Sequence, residues 1–313
     1  MAIGRTSIHG LIALAAVAVL GLWPASAEAV QHAITCPARR IANAIKHLKP
    51  GDTLTVSGTC SENVVVGEDV QNVTIQGAAG ATINASDAAS PAIEVLGRGV
   101  ILRGFTINGG FVGVRVTGGG TAVIDGNTIQ GGAGGVAITQ NSYAKVVNNT
   151  IQNTAFNGIA VLEGSSARIG FHEFTDAAAS PNTIQNNLVG VFVLRGAHAF
   201  IAGNTIRLNS FRGIHVRQAA HAAISGNTID ANGGGGTSEG GIVVEEASTI
   251  NLPEGQTGLL GVDNVTTSNQ ENNPVAIRCM TRGLVSSQGF GIGGLTGSVT
   301  DTDFDATTCL DNT

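Results

Sequence analysis

The sequence predicts an all-β protein, a right-handed parallel β-helix with three short strands in each coil of about 22 residues. The first observation is the phrase Asn-Thr-Ile, whose isoleucines follow one another at steps of 22, 33, 22 and 23 residues. The second is that each repeat contains three short apolar pieces that alternate inward and outward residues, as in a strand with one buried face. The third is that Gly and Asn separate these pieces, which suits corners that need left-handed backbone. The phrase begins at Asn127, Asn149, Asn182, Asn204 and Asn227.

One repeat runs from Ala122 to Ile138, and its three strands are Ala-Val-Ile, Thr-Ile and Gly-Val-Ala-Ile. Because strands of successive coils pair about 4.8 Å apart, residues at one repeat position form columns. We therefore expect one corner where the recurring asparagines hydrogen-bond to each other and to the turn backbone. We also expect an inward column of isoleucines, comprising Ile129, Ile151, Ile206 and Ile229.

The repeat frame weakens towards both ends of the chain. Imperfect copies at 73–77 and 100–104 extend the coils towards the N-terminus. The 33-residue step contains an insertion at about 171–181, which predicts one long loop. After about residue 250 the frame decays. The predicted division is an N-terminal cap over 30–60, coils over 61–250, and irregular final coils with a C-terminal cap over 251–313.

Residues 1–29 have the features of a secretory signal peptide. Arg5 supplies the charge, residues 11–22 form the apolar run, and small residues around Ala27 and Ala29 offer a cleavage site. This run is short for a membrane span, and no later stretch is apolar enough for one. We therefore expect a secreted or periplasmic protein that has no membrane span after cleavage.

Four cysteines follow the signal peptide, and an even number in an exported chain suggests two disulfides. Three pairings are open. The positions favour Cys36–Cys60 and Cys279–Cys309, because each pair brackets one end of the solenoid. Between the first two cysteines, apolar residues share one helical face. This pattern predicts a short helix at about 38–48 that covers the open end of the core.

The composition excludes two classes of protein. The formal net charge is −6, with 16 basic and 22 acidic side chains, and no basic run is present. This argues against a nucleic-acid partner. Apolar residues make up 42% of the chain and recur periodically, which excludes a disordered protein.

The repeat Ile-x-Gly-Asn-Thr-Ile, followed by Gly-Ile-x-Val, resembles the coils of the pectin-lyase-like superfamily of right-handed parallel β-helices. More closely, the chain resembles bacterial exported right-handed β-helix repeat proteins, whose mature start is similar to Leu-Lys-Pro-Gly-Asp at 48–52 and Gly-Thr-Cys-Ser-Glu-Asn at 58–63. The resemblance covers about residues 32–250 and implies the fold. It implies no single activity, because the superfamily includes lyases, hydrolases, epimerases and adhesins.

The enzyme signatures of that superfamily are missing from this sequence. A polygalacturonase-like protein would show Asn-Thr-Asp, Asp-Asp, Gly-His-Gly and Arg-x-Lys, and a mannuronan-epimerase-like protein would show Asp-Pro-His. The aspartates of the coils are few and scattered, unlike a pectate-lyase-like calcium cluster. The resemblance therefore transfers no catalytic residue.

The outward positions of the Gly-Ile-x-Val strand hold the strongest candidate site. An imidazole, a guanidinium and a carboxylate on adjacent rungs can hold an acidic sugar and move a proton. The alternative is a row of ion pairs on a solvated face. Stacking by repeat position puts Phe192 beside His215, Arg217 beside Glu245 and Glu163 beside Arg195. The candidate catalytic residues are His215, Arg217 and Glu245, and the candidate ligand-binding residues on this face are Glu163, Arg195 and Glu246.

The insertion carries His172, Glu173 and Asp176, which suit either a ligand or metal site or a solvated loop. His198 and His221 head adjacent coils, where a stacked corner pair is expected rather than a pair of metal ligands.

Two other groups of charged residues are candidates. Arg103 and Asp125 share an outward slot one coil apart, which predicts an ion pair. The run Asp301, Asp303 and Asp305 is a weak calcium candidate, because Ala306 and Asn312 replace the Gly and Glu that an EF-hand loop requires. No other cofactor is predicted.

Two functions remain open. The first is a non-catalytic envelope or extracellular scaffold that binds a polysaccharide or another surface polymer. The second is a polysaccharide lyase, hydrolase or epimerase that acts on an anionic glycan. The sequence favours the first, because the enzyme signatures are missing and only one tyrosine and no tryptophan follow the signal peptide to serve as sugar platforms.

Overall fold

The computed structural model describes residues 28–234 and 240–251 and, beyond them, the backbone of six short strands. In this part of the chain nearly all regular structure consists of short parallel strands in three sheets, here called A, B and C. Each coil contributes one strand to each sheet, in register with the equivalent strand of the next coil. The structure confirms the predicted right-handed parallel β-helix.

Within each sheet the strands pair in chain order. Sheet A contains Gln31–Thr35, Thr53–Ser57, Thr74–Gly77, Val100–Arg103, Thr121–Asp125, Tyr143–Val147, Ser166–Ile169, His198–Ala202, His221–Ser225, Thr249–Asn251, Leu284–Ser286 and Leu310–Asn312. Sheet B contains Thr59–Ser61, Thr82–Asn84, Thr106–Asn108, Thr128–Gln130, Thr150–Gln152, Thr183–Gln185, Thr205–Arg207, Thr228–Asp230, Asn264–Thr266 and Leu295–Thr296. Sheet C contains Val64–Val66, Ile93–Val95, Val112–Val116, Gly134–Ile138, Asn157–Leu162, Val189–Leu194, Arg212–Arg217, Ile242–Val244, Ile277–Cys279 and Thr302–Phe304.

The core is built from inward columns, one from each alternating strand. The predicted isoleucine column of sheet B is completely buried, and Ile184 from the coil with the insertion joins it. Its neighbours in sequence, such as Gln152, point outwards and hydrogen-bond to glutamines on adjacent rungs. Stacking identical apolar side chains removes them from water in a way that no single coil achieves alone.

The predicted asparagine corner lies between sheets A and B and is confirmed. The Nδ2 of Asn127 donates to Oδ1 of Asn149 at 3.1 Å, and the pattern continues through Asn182, Asn204 and Asn227. Each Oδ1 also accepts the backbone N–H of the asparagine one coil before it. The ladder thus satisfies buried turn groups that would otherwise lack partners.

A second asparagine ladder lies after sheet B, at a corner for which the sequence analysis predicted none. Asn187 donates to Asn209 at 3.1 Å and Asn209 donates to Asn232 at 2.8 Å. Thr154 donates its hydroxyl to Asn187 at the N-terminal end of this row. All of these side chains are buried. Two polar ladders therefore fix the corners on either side of sheet B.

The helix of the N-terminal cap is shorter than predicted. The α-helix covers Ile41–Ala44 and continues as a 3-10 helix over Ile45–His47, instead of running over 38–48. The reason is that Arg40 is extended, and the buried carboxylate of Glu62 accepts the N–H groups of the first two helical residues. Ile41 and Ile45 cover the end of the core, as the pattern predicted.

Covalent and charged contacts attach this cap to the first coil. The predicted Cys36–Cys60 disulfide is present. Asp52 is buried and accepts hydrogen bonds from the N–H groups of Val30 and Lys49 and from the ring of His32. These contacts, led by the N–H of Lys49, lower the pKa of Asp52 to about 2.

The insertion leaves the coil between Ser166–Ile169 and Thr183–Gln185 and is held against sheet A. Phe171 is fully buried. The exposed ring of Phe174 packs edge-on against Phe200, with ring centroids 5.0 Å apart, and the guanidinium of Arg168 lies 4.3 Å from the Phe174 centroid. The loop is therefore a packed excursion from the solenoid.

Several predictions fall outside the described residues. They are the signal peptide up to residue 27, the Cys279–Cys309 disulfide and the aspartate run at 301–305. Among the residues that the structure describes, no helix has the length and apolar character needed to cross a membrane.

Candidate functional site

The outer face of sheet C is formed by the side chains that alternate with its buried valines and isoleucines. One outward column on this face contains, rung by rung, Arg115, Ala137, Ala160, Phe192 and His215. The two alanines in the middle of the column leave open space above their rungs. The larger side chains before and after them fill the equivalent space at their own rungs. The face is thereby divided into an open groove and a filled segment.

The groove has a volume of about 580 Å³. Small residues, Gly134, Ala137 and Ala160, form its floor. One rim of the groove carries Phe111 and Phe156, which are 52% and 55% exposed. These two rings lie two coils apart, about 10 Å at the usual strand spacing. Exposed aromatic rings on one side of a groove are flat apolar platforms that a ligand can contact.

The opposite rim and one end of the groove are polar. The hydroxyl of Thr139 donates to Glu163 at 2.5 Å, and Arg195 meets the same carboxylate at 3.3 Å, as the stacking of these two residues predicted. At the end of the groove, Arg115 donates to Glu94 at 2.9 Å. The lining residues thus include two carboxylates and one cation, so the groove has no excess positive charge.

The filled segment contains the predicted catalytic residues, and the structure brings them together. His215 is only 4% exposed, and its ring stacks on Phe192 with centroids 4.7 Å apart. The Nε2 of His215 lies 2.7 Å from Oε1 of Glu245. Since a carboxylate accepts only, a proton on Nε2 lets the ring donate to Glu245.

Arg212 also belongs to this cluster, which the sequence analysis missed. Its side chain is 6% exposed, and its guanidinium donates to Glu245 at 3.2 Å, contacts the His215 ring, and lies over Phe211 at 4.6 Å. The signal in the sequence was the position of Arg212 at the head of the Gly-Ile-x-Val strand, in register with Val189. The earlier residues of that column, valine, glycine and asparagine, are all uncharged, so the pattern of earlier coils gave no reason to expect a charge.

Arg217 pairs more closely with Glu246 than with Glu245. Its Nε donates to Glu246 at 3.2 Å and its second guanidinium nitrogen contacts the same carboxylate, whereas Nε lies 3.8 Å from Glu245. Arg217 is also about one-third exposed, unlike Arg212. The predicted neighbours are correct, but the pairing within the set is different because Glu245 turns inwards to His215 and Arg212.

The charges of this cluster shift one another's protonation. Hydrogen bonding to His215, with the charge of Arg212 nearby, lowers the pKa of Glu245 to about 2. Burial lowers the pKa of His215, and the charge of Arg212 adds to this effect against the hydrogen bond to Glu245. At neutral pH the arrangement is a neutral imidazole that donates to a carboxylate held by guanidinium groups.

The charged residues of the insertion form an ion cluster on sheet A. Glu173 accepts from Arg168 at 2.7 Å and also contacts Lys145, and these two partners lower its pKa. Asp176 accepts the N–H groups of His172 and Glu173. Both carboxylates are thus engaged within the loop and its neighbouring rungs.

The predicted ion pair between Arg103 and Asp125 is wrong, although the two residues are in register. Arg103 reaches the other way and donates to Gln76 at 2.6 and 3.0 Å. Asp125 accepts from Asn148 at 2.8 Å. The long arginine side chain finds an amide oxygen on the preceding rung.

His198 and His221 are in register on sheet A, with ring centroids 6.0 Å apart and planes inclined by 49°. Burial, followed by the nearby His198, lowers the pKa of His221. The rings form the predicted corner pair, but they are tilted instead of stacked.

Comparison with solved structures defines the class to which this fold belongs. The structure of an alginate lyase from Paenibacillus sp. str. FPU-7 aligns with a TM-score of 0.57 at 15% identity, over 89% of this chain and 99% of the lyase. The mannuronan C-5 epimerase AlgE4 A-module of Azotobacter vinelandii aligns with a TM-score of 0.48 at 13% identity, over 84% and 89% of the two chains. Pectate lyase Pel9A also gives 0.48, at 12% identity, over 90% and 80%. The chain shares the right-handed parallel β-helix fold of the alginate lyase.

Within this class, the family can be stated from the sequence. The model of the family described as periplasmic copper-binding protein (NosD) matches residues 43–273. This match covers well over half of the chain, which therefore belongs to the NosD family. None of the curated proteins compared with the sequence matches it.

The family description names copper. Among the described residues, one group of three ligand-type side chains lies within reach of one ion, namely Cys36, Cys60 and Glu62. This group does not fit copper, because both sulfurs are joined in the disulfide and the Glu62 carboxylate accepts helical N–H groups. The two adjacent imidazoles of His198 and His221 do offer ligand types that copper accepts.

Proposed function

We propose that this protein is an exported, non-catalytic β-helix that binds a neutral polysaccharide along the groove of sheet C. The observation that carries the proposal is the pair of exposed rings, Phe111 and Phe156, on one rim of a groove with a small-residue floor. An extended sugar chain has apolar C–H faces and polar edges, and this groove offers aromatic faces on one side and hydroxyl, amide and carboxylate groups on the other.

Charge supports a neutral ligand over an acidic one. Arg115, the cation among the lining residues, is already paired with Glu94, and Glu163 adds a second negative charge. A polymer of uronic acids would have to approach two carboxylates without an unpaired guanidinium to receive its own. An uncharged glycan meets no such repulsion.

The filled segment supports a binding role in preference to a catalytic one. The charged groups of His215, Arg212 and Glu245 face one another and are almost covered. A general acid or base must reach the proton of a bound substrate, and here the imidazole nitrogen is already hydrogen-bonded. The periplasm is the proposed compartment, in agreement with the description of the family.

The test is affinity electrophoresis in gels that contain soluble β-glucan, mannan or galactan, with alginate and polygalacturonate as acidic comparisons. We expect retardation by a neutral glycan and none by the acidic ones. Phe156→Ala should weaken binding about tenfold, the effect of losing one stacking platform. Phe174→Ala is the matched control, since it removes an exposed phenylalanine outside the groove. The proposal fails if no neutral glycan binds, or if the two variants bind equally.

A second candidate is the lyase, hydrolase or epimerase activity on an anionic glycan. The specific observation that favours it is the 2.7 Å contact between His215 and Glu245 beside two guanidinium groups. This activity requires Arg217 to leave Glu246 and receive a sugar carboxylate. Release of unsaturated or reducing sugars from alginate or polygalacturonate, lost in His215→Ala, would support this candidate over the first.

A further inference from the structure

The two exposed rings of the groove alternate with a small residue along one turn position. The N–H of Ala133 donates to the carbonyl of Phe111 at 3.2 Å, and the N–H of Phe156 donates to the carbonyl of Ala133 at 2.7 Å. The three residues therefore stack directly, with Ala133 on the rung between the rings. The rings recur every second coil, at about 10 Å, and the rung between them offers only a methyl group.

This alternation fits a straight glycan chain whose geometry repeats every two sugars. In a β-1,4-linked chain of pyranoses with equatorial linkages, each sugar is turned over relative to its neighbour, so the first and third sugars present the same face. Two such sugars are separated by nearly the distance between equivalent atoms two coils apart, about 10 Å. Chains joined by α-1,4 or β-1,3 bonds curve, and they do not keep alternate sugars in line with two aromatic platforms.

The groove also offers unpaired amide groups at both of its sides. Gln140, on the polar rim, accepts the hydroxyl of Thr117 at 2.9 Å through its side-chain oxygen. Its amide nitrogen has no hydrogen-bond partner in the part of the chain that the structure describes. The side chain of Asn157, which follows Phe156, has no such partner there either. Equatorial hydroxyl groups lie along the edges of a β-1,4-linked chain, where these amides can donate to them and accept from them.

The open length of the groove covers about three rungs. In the floor column, Ala160 is followed on the next rung by Phe192. On the rim, Phe156 is followed by Leu188, whose N–H donates to the carbonyl of Phe156 at 2.8 Å. Because the ring of Phe192 occupies the position where the floor was low, the open part ends there. It has room for one sugar at each of the rungs of Phe111, Ala133 and Phe156.

We infer that the groove recognises a three-sugar segment of a neutral, equatorially β-1,4-linked glycan. The outer sugars stack on Phe111 and Phe156, and the middle sugar passes over Ala133. This inference rests on the proposed function, to which it adds the linkage and the length of the recognised segment.

The test is isothermal titration calorimetry of the purified protein with β-1,4-linked gluco- and manno-oligosaccharides of two, three and six sugars. We expect affinity to rise about tenfold from the disaccharide to the trisaccharide, because only the trisaccharide reaches both rings. The hexasaccharide should bind little better than the trisaccharide, since the floor rises at Phe192. Maltotriose (α-1,4) and laminaritriose (β-1,3) should each bind about tenfold more weakly than the β-1,4-linked trisaccharide.

Two variants connect this gain to the rings. Phe111→Ala and Phe156→Ala should each abolish most of the difference between disaccharide and trisaccharide, because only one platform remains. Both side chains are more than half exposed, so the melting temperatures should match that of the parent. Phe174→Ala is the matched control, and it should keep the full gain.

The possible failures of this inference and of the proposed function can be told apart. The inference alone is overturned if neutral glycans bind but maltotriose or laminaritriose binds as tightly as the β-1,4-linked trisaccharide. It is also overturned if the gain survives the loss of either ring, or if affinity keeps rising up to the hexasaccharide. If no neutral oligosaccharide or polysaccharide binds at all, the proposed function fails and the inference fails with it.

Discussion

The groove and the filled segment of sheet C occupy the same outward columns, yet one is open and the other is sealed. In the groove, Ala137 and Ala160 leave the floor low, and the aromatic rings at the rim remain exposed. On the next two rungs, Phe192 and His215 fill the same column, and Arg212 and Glu245 close over them. The comparison shows that side-chain volume at one repeat position decides whether a β-helix face stays open or packs against itself.

The charged residues of the groove are solvent-exposed, whereas those of the filled segment are largely buried. Glu163 on the groove rim is 40% exposed and pairs with Arg195, which is still more exposed. Glu245 is 13% exposed and meets a nearly buried arginine and histidine. A charge pair in water contributes little to stability, whereas removal of one partner from a buried pair leaves the other uncompensated.

The largest expected effect separates these two carboxylates. Glu245→Gln should lower the free energy of unfolding by about 3 kcal/mol, because it removes a largely buried carboxylate charge that contacts both Arg212 and His215. Glu163→Gln, the matched change on the rim, should cost less than about 1 kcal/mol. Urea unfolding at pH 7 measures both. Equal losses would mean that the filled segment is as solvated as the groove.

A smaller effect is expected from a substitution that fills the groove with a side chain. Ala160 is in register with Phe192, so Ala160→Phe extends the aromatic column over the floor. We expect glycan binding to fall more than tenfold while the melting temperature stays within a few degrees of the parent. Ala223→Phe is the control, because it places the same ring beside Phe200 on sheet A. Undiminished binding by Ala160→Phe would show that the ligand lies elsewhere.

The smallest effect is a pH dependence of the filled segment. Burial lowers the pKa of His215 below the ordinary 6.5, so the unfolded chain binds a proton more readily than the folded one. Stability should therefore be complete above pH 6.5 and decline as the pH falls below it. The pKa of His221 is lowered in the same direction, so it contributes to the same window.

The measurement is urea unfolding between pH 7 and pH 5, above the range where most carboxylates titrate. His215→Gln and His221→Gln should each flatten part of the decline, and His215→Gln should flatten more because its ring is the more deeply buried. The contribution of Glu245 is lost only at lower pH, between its ordinary 4.5 and about 2. If the free energy of unfolding still declines equally between pH 7 and pH 5 after both substitutions, this explanation is contradicted.

Prediction from the sequence was most successful where each coil repeats its neighbour. The isoleucine column, the corner at Asn127 and Asn149, and the register that pairs Phe192 with His215 all follow from repeat position. The spacing of Cys36 and Cys60 likewise led to the correct disulfide. The period carries this information because a parallel stack places equal positions above one another.

Prediction failed where a side chain has more than one partner within reach. Arg103 donates to Gln76 and not to Asp125. Glu245 contacts His215 and Arg212, whereas Arg217 pairs with Glu246. The helix also began later than its apolar pattern suggested, because Glu62 from the first coil caps it at Ile41. A long flexible side chain can reach hydrogen-bond partners on its own rung and on both adjacent rungs. Sequence position alone does not show which of these partners it contacts.

The sequence by itself determined the fold, the columns and the asparagine corner between sheets A and B, because a fixed period with alternating apolar residues permits one way of burying the apolar side chains. Only the tertiary structure decided which part of sheet C is open. The groove depends on Ala137 and Ala160 lying beside exposed rings from the turns, and the sealed cluster depends on Glu245 turning inwards after its strand ends. Such features arise from side-chain volume and desolvation across several coils at once, and no single repeat contains them.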